Sequence, residues 1–290
     1  MVAFACNSLL CRLALKHTSI DAATFTAVRI ATGALMLWVI VRAQGGAKTG
    51  SGNWLSALAL FVYAAGFSFA YVSLPASTGA LLLFGAVQAT MIGRGLWLGE
   101  RLRNWQVIGF VLALGGLLGL FLPGVSAPPL FGSMLMLSAG IAWGIYSLRG
   151  RGAGDPTRVT AGNFLRAVPI AVGLIVLMHD SSTFDAAGLL YAVASGAVAS
   201  GIGYAIWYTA LPALKATSAA AVQLSVPVIT AVAGMIFLDE ALTVRFLLAS
   251  LAILGGIALV IVERGRAQAI PPEAAQPLNI DLNKSETKTP

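Results

Sequence analysis

The sequence predicts an all-α polytopic integral membrane protein, with ten transmembrane helices laid out as two inverted five-helix repeats. Three observations carry this. Only 10% of the 290 residues are charged and 58% are hydrophobic, whereas a soluble domain carries about 25% charged residues. The apolar residues run continuously for roughly the length of a membrane-spanning helix, without the ten-residue alternation of a membrane β-barrel. The second half of the chain also repeats marks of the first in register. With so little surface for water, the medium is lipid, where spanning backbone must satisfy its own hydrogen bonds.

Taken in order, the spans are 2–15, 22–41, 54–73, 78–98, 105–122, 130–148, 160–178, 186–210, 218–238 and 244–262. The first is shorter than the roughly 20 residues a bilayer requires. No basic leader precedes it, and the native start is expected upstream of Met1, which N-terminal sequencing would test. The second and third spans are separated by the polar, glycine-rich stretch from Gln44 to Asn53. Pro75 closes the third span and Pro212 the eighth, each just after a leucine, because proline removes a backbone donor and sterically breaks the helix. Pro123-Gly124 stops the fifth span and Pro128-Pro129 restarts the chain for the sixth. The run from Gly150 to Pro156, rich in glycine and arginine, leads into the seventh. From 264 to 290 the composition shifts to Pro, Glu, Lys and Asn, which reads as a disordered cytoplasmic tail. The organisation expected is therefore 1–124 and 125–263 as five-helix repeats, followed by that tail.

An even number of spans places both termini on one side. That side collects Arg42, Lys48, Arg101, Arg103, Arg149, Arg151, Arg158, Lys215, Arg264 and Arg266, whereas the other holds only Lys16 and Arg245. Excess Lys and Arg accumulate in cytoplasmic loops, so both termini are expected in the cytoplasm and the protein in the cell's inner membrane. The same rule accounts for the net charge of +7 and the pI of about 9.8, with no nucleic-acid partner implied. Cys6 and Cys11 form no CxxC pair and adjoin no histidine cluster, so they are expected to be packing thiols, with no metal site and no cofactor.

Shifted by 140 residues, Thr90 meets Thr230, Glu100 meets Glu240, and Gly115-Gly116 meets Gly255-Gly256. Shifted by 137, Arg29 meets Arg166, Tyr71 meets Tyr208, and Leu74-Pro75-Ala76 meets Leu211-Pro212-Ala213. Five spans per half is an odd number, so the halves insert in opposite orientations. Such inverted repeats build transporters that alternate between two faces around a midplane site.

These residues resemble the EamA-type branch of the drug/metabolite transporter superfamily over residues 1–263. The resemblance rests on Asn7-Ser8, Arg29, Leu98-Gly99-Glu100-Arg101-Leu102 and Gly115-Gly116 in the first half. In the second half it rests on Ala142-Trp143-Gly144, Arg166, Pro227, Leu238-Asp239-Glu240-Ala241-Leu242 and Gly255-Gly256. It implies a ten-helix permease whose central cavity is walled by spans one, three, four, six, eight and nine, and which moves small metabolites, often outward. Many relatives carry a proline in the fourth span where this chain has Val87. Small multidrug resistance proteins, distant relatives, depend on a glutamate in the first span, and this first span has none.

Charged groups inside lipid are functional candidates, and here all are arginines. Arg12 lies near a helix end and can snorkel. Arg29 and Arg166 either brace helix ends and carbonyls or shape the cavity mouth and bind an anionic group by a bidentate fork; they are taken as structural or gating residues. Arg94 has Gly234 as its repeat partner and is a substrate or gating candidate. The amides Asn7, Gln88, Asn163 and Gln223 need partners or a wet cavity. Pro227 frees the carbonyl of Gln223, giving a hinge, a binding turn or a packed kink. Tyr63, Phe67 and Tyr71 share one helical face, as do Tyr204 and Tyr208. Aromatics at span ends, such as Trp54 and Trp105, fit a headgroup belt. The cavity candidates are therefore Asn7, Tyr63, Gln88, Arg94, Trp143, Tyr146, Tyr204 and Gln223, with Pro227 as hinge. A wall of aromatics and amides suits amino acids or amphipathic organics. The small-residue faces around Ser195, Gly196, Ala199 and Ser200 read as helix packing, and Glu100 and Glu240 as local caps or pairs.

The function expected is a secondary transporter working by alternating access, whose partners are a small-molecule substrate and the bilayer, as a monomer or homodimer. The competing reading is a membrane-embedded enzyme acting on lipid or isoprenoid. It lacks clustered acids or metal ligands, since His17 and His179 lie far apart in loops. No GxxxxGK[ST] loop supports an ATP-driven pump.

Overall fold

The computed structural model describes residues 1–45, 51–99, 102–122, 124, 127–150, 154–181, 183–210, 214 and 222–269, with the backbone alone at 181 and 264–269. The described helices are α1 (Val2–His17), α2 (Ala22–Gln44), α3 (Trp54–Tyr71), α4 (Ala76–Trp97), α5 (Asn104–Phe121), α6 (Leu130–Arg149) and α7 (Pro156–Leu177). They continue with α8 (Ala186–Ala210), α9 (Ser225–Leu238) and α10 (Val244–Ala269). Eight of them are long and apolar enough to cross a bilayer, and α1 and α9 are shorter. The expected start of the ninth span at 218 and most of the tail, 270–290, lie outside the described residues. The helix of α10 runs to Ala269, six residues into the segment read as tail.

The helix starts follow from local chemistry. An Asp or Asn before α2, α3, α7 and α8 accepts the exposed backbone N–H groups of the first turn. Asp21 serves Ala23 and Thr24, Asn53 serves Ser56, Asp155 serves Arg158, and Asp185 serves Gly188. Helices α4 and α6 begin directly after Pro75 and Pro129. At the other end of α9, Asp239 turns left-handed at φ 52°, and the Glu240 N–H returns to the Gly234 carbonyl.

Helices α1–α4 and α6–α9 build the interior. α3 and α4 pack on α6, and α2 packs on α7 and α8. Helices α5 and α10 pack chiefly on each other, through glycines that let backbones touch. A Cβ on Gly109 would stand 2.5 Å from the Gly256 carbonyl, and one on Gly116 2.7 Å from Ala252. Gly115 and Gly255 face open space, so only one glycine of each pair makes the contact. The perimeter carries exposed Leu35, Leu118, Phe131, Val176 and Leu251, a surface that only lipid accommodates. The chain is an all-α polytopic membrane protein.

Candidate functional site

The aromatics that share faces in the sequence converge on one point. Trp143 of α6 lies 4.8 Å between ring centres from Tyr63 of α3, 5.1 Å from Tyr204 of α8, and stacks on Tyr146 at 5.3 Å. Phe4 of α1 meets Tyr204 at 5.6 Å, and Phe67 meets Tyr63 at the same distance. Phe4, Tyr63, Phe67, Trp143 and Tyr204, with Asn7, Leu83 and Phe84, enclose a cavity of about 10 Å³, room for about one water. The cavity is thus closed to anything much larger than a water.

Its polar groups come from four helices. Asn7 Oδ1 accepts from the Ser195 hydroxyl, joining α1 to α8. Around this contact, residues Ala194–Ile202 of α8 form a π-helical stretch, a backbone irregularity often found at functional sites. On its opposite flank Ser200 meets Arg29, which is 2% exposed. Arg29 Nη2 donates to the Tyr63 hydroxyl at 2.9 Å, and Nε donates to Ser200 Oγ at 3.4 Å. Its guanidinium carbon lies 5.2 Å from the Tyr63 ring centre and 4.8 Å from that of Phe67. Nη1 is buried without a hydrogen-bond partner.

Of the residues singled out by sequence, Asn7, Tyr63, Trp143 and Tyr204 meet at the cavity wall. Tyr146 backs Trp143, and Arg29 backs Tyr63. Gln88 is buried one turn beyond Phe84 on α4, its amide nitrogen unpartnered and outside this wall. Arg94 is exposed on the last turn of α4, ten residues past Phe84, which is about 15 Å along the helix. Gln223 is buried just before a break in the helix at Leu224, and Pro227 sits in the first turn of α9. With Val87 at the related place, α4 runs unbroken. Arg166 donates to the Ser51 and Gly162 carbonyls, away from the cavity. Asn163 accepts from the Asn53 N–H at 2.9 Å. Phe4, Leu83, Phe84, Ser195 and Ser200 also build the site. Phe4 stands one turn from Asn7, a spacing that could have marked it. The two serines sit among Gly and Ala, where the sequence reads as helix packing.

One end of the bundle is tied shut by a carboxylate from the second half. Glu240 accepts from the Ala76 N–H at 2.7 Å and the Ser77 N–H at 3.3 Å, so it caps α4. It also lies 3.8 Å from Arg12 Nε. Arg12 Nη1 donates to the Tyr71 and Val72 carbonyls, and Lys16 donates to the Leu238 carbonyl. Glu240 is therefore not a local cap: its partners lie 164 and 163 residues away, because α9 ends beside the start of α4. Glu100 and Arg101 lie outside the described residues. At the opposite end, Arg149 donates to Ser56 Oγ at 3.2 Å and Asn53 Oδ1 at 3.4 Å. Among the described residues no group of three or more His, Cys, Asp or Glu is placed to hold a metal ion.

Comparison with known proteins fits this architecture. The profile of the EamA-like transporter family matches residues 1–122 and again 130–262. An uncharacterized protein of Pseudomonas aeruginosa is 58% identical over 92% of this chain and 94% of its own. The "Probable amino-acid metabolite efflux pump" of Escherichia coli is 26% identical over 71% of this chain and 75% of its own. A solved crystal structure superposes with a TM-score of 0.63 over 91% of this chain and 98% of that one. At 19% identity it speaks to the fold alone.

Proposed function

The chain belongs to the EamA-like transporter family, and from that premise we propose that it is a secondary permease exporting small metabolites, such as amino acids or amphipathic organics. It works by alternating access across the inner membrane, with both termini in the cytoplasm. The two segments matched by the family profile are two five-helix repeats inserted in opposite orientations.

One observation carries the reading: the aromatic and amide cavity draws its wall from both repeats. Asn7, Tyr63 and Phe84 come from the first, and Trp143 and Tyr204 from the second. A cavity built this way opens or closes when one repeat moves against the other, without unfolding either. The Glu240–Arg12 contact seals one end. Breaking it while the opposite end closes would expose the cavity to the other side of the membrane. The Escherichia coli relative, named a "Probable amino-acid metabolite efflux pump", supports the substrate class and direction. Aromatic walls with a few placed polar groups suit organic molecules with one polar end.

The test is flux in liposomes holding the purified protein, against a panel of labelled amino acids and amphipathic metabolites. Accumulation or counterflow of at least one compound is expected, with Trp143→Ala losing most of it. Absence of flux for the whole panel from folded, correctly inserted protein would overturn the reading. An accessibility tag at Gly154 is expected to be cytoplasmic.

A further inference from the structure

Arg29 and Arg166 occupy equivalent positions under the 137-residue shift, and the structure gives them different surroundings. Arg166 has the environment of a bracing arginine, with backbone carbonyls of Ser51 and Gly162 accepting its donors. Arg29 has no carbonyl and no carboxylate as a hydrogen-bond or ion-pair partner among the described residues. Among the described residues its hydrogen-bond partners are two hydroxyls, those of Tyr63 and Ser200. A guanidinium carries five N–H donors, so most are unfilled, and Nη1 is buried with none. A cation held in a low-dielectric interior without a counter-ion is costly. Cation–π contact with Tyr63 and Phe67 offsets only part of that cost.

Both of those rings also line the cavity. Arg29 therefore stands directly behind the wall of the candidate substrate site, its charge uncompensated. We propose that Arg29 is the anchor for a carboxylate on the transported metabolite, which supplies the counter-ion that none of the described residues provides. The anion class follows from charge balance. One guanidinium without a second cation beside it neutralises a single negative charge, which fits a carboxylate, whereas a phosphate dianion would be left half-compensated. The paired Nη1 and Nη2 edge can offer two parallel donors to the two carboxylate oxygens. The Tyr63 hydroxyl would yield its place on Nη2 or share it. The rest of the substrate would lie against Trp143 and Tyr204, with Asn7 placed for a polar group. Because the cavity holds about one water in this state, binding accompanies its opening. This deepens the permease reading and rests on it for the word substrate, but the binding step is testable without transport.

The experiment uses the full chain purified in nanodiscs and matched probes of one size. Phenylacetate and L-phenylalanine carry the carboxylate, phenethylamine and L-phenylalaninamide lack it, and inorganic phosphate and chloride serve as anion controls. Thermal shift and tryptophan fluorescence report binding directly. The two carboxylates are expected to bind roughly tenfold or more tightly than the amine and amide, the scale of a charge-assisted bidentate contact. Arg29→Gln should bring that ratio close to one, and Arg29→Lys should keep part of it. Arg166→Gln should leave it unchanged. If Arg29→Gln fails to fold, the acid-to-amine ratio of the wild type and the effect of Arg29→Lys decide. Equal binding of acids and amines, tightest binding by phosphate or chloride, an unchanged ratio in the Arg29 variants, or no response to either carboxylate would each overturn the assignment. Liposome flux of the whole labelled panel, acids, amines and neutral compounds alike, separately decides whether the permease reading itself stands.

Discussion

Replacing Glu240 with alanine should loosen one end of the bundle by an amount the geometry lets us bound. The carboxylate accepts two backbone N–H groups, at 2.7 and 3.3 Å, and the Ser77 hydroxyl at 3.4 Å. It lies 3.8 Å from Arg12, and the Arg12 and Glu240 side chains are only 14% and 8% exposed. Hydrogen bonds to a charged group contribute about 1.5–3 kcal/mol. Breaking a buried pair by removing one partner costs about 3–5 kcal/mol. Arg12 keeps its bonds to the Tyr71 and Val72 carbonyls, so the lower end applies, and about 3 kcal/mol is expected for E240A. E240Q keeps a neutral acceptor of the same size and should lose about half as much. At about 1.4 kcal/mol per factor of ten, E240A raises the population of the opened end about a hundredfold. The assay is labelling of Ala76→Cys by a membrane-impermeant maleimide, with Cys6 and Cys11 replaced by alanine. Ala76 is fully buried beneath the carboxylate, so its labelling rate follows the opened population. The order E240A, then E240Q, then wild type is expected for both labelling rate and loss of thermal stability. Labelling at the wild-type rate, with a melting temperature unchanged in E240A, would refute the reasoning.

Other consequences follow from the same contacts. Gly109→Ala and Gly256→Ala force a methyl group into the facing backbone and should cost about 1–3 kcal/mol. Gly115→Ala and Gly255→Ala meet open space and should melt as the wild type does, a contrast readable by thermal unfolding in detergent. Trp143→Ala removes the ring that touches Tyr63, Tyr146 and Tyr204 and should cost about 3–5 kcal/mol, while Trp143→Phe should recover most of it. Asp21 has its carboxyl held below the ordinary carboxylate value: burial pushes it up, but donors from Thr24, Thr183 and Ala23 outweigh that. A lowered folded value means that its stabilisation is present above the unfolded value of about 3.9 and is lost as pH falls through the folded one. The melting temperature should therefore fall below about pH 4 more steeply in the wild type than in Asp21→Asn, and parallel pH profiles would refute the role.

Much of the fold could be read from the sequence because transfer into lipid is a local property of each residue. Charge depletion, run length and the proline and glycine breaks located helices that the structure also has, most of them with ends within a few residues. Amides and aromatics stand out against apolar runs, so Asn7, Tyr63, Trp143 and Tyr204 could be singled out before their meeting place was known. Phe4, Leu83 and Phe84 carry no such contrast, since an apolar residue facing a cavity and one facing lipid look alike in one dimension. Glu240 shows the second limit: its position at a helix end was plain, but its partners on α4 depend on which helix ends lie side by side. Arg29 and Arg166 show the limit most clearly, because the repeat makes them equivalent in sequence. Only tertiary packing set one against backbone carbonyls and left the other among rings and hydroxyls. The hydrophobic pattern specifies how each helix sits in the bilayer, while the pairing of distant polar groups is fixed by rotations and contacts between helices that no single segment encodes.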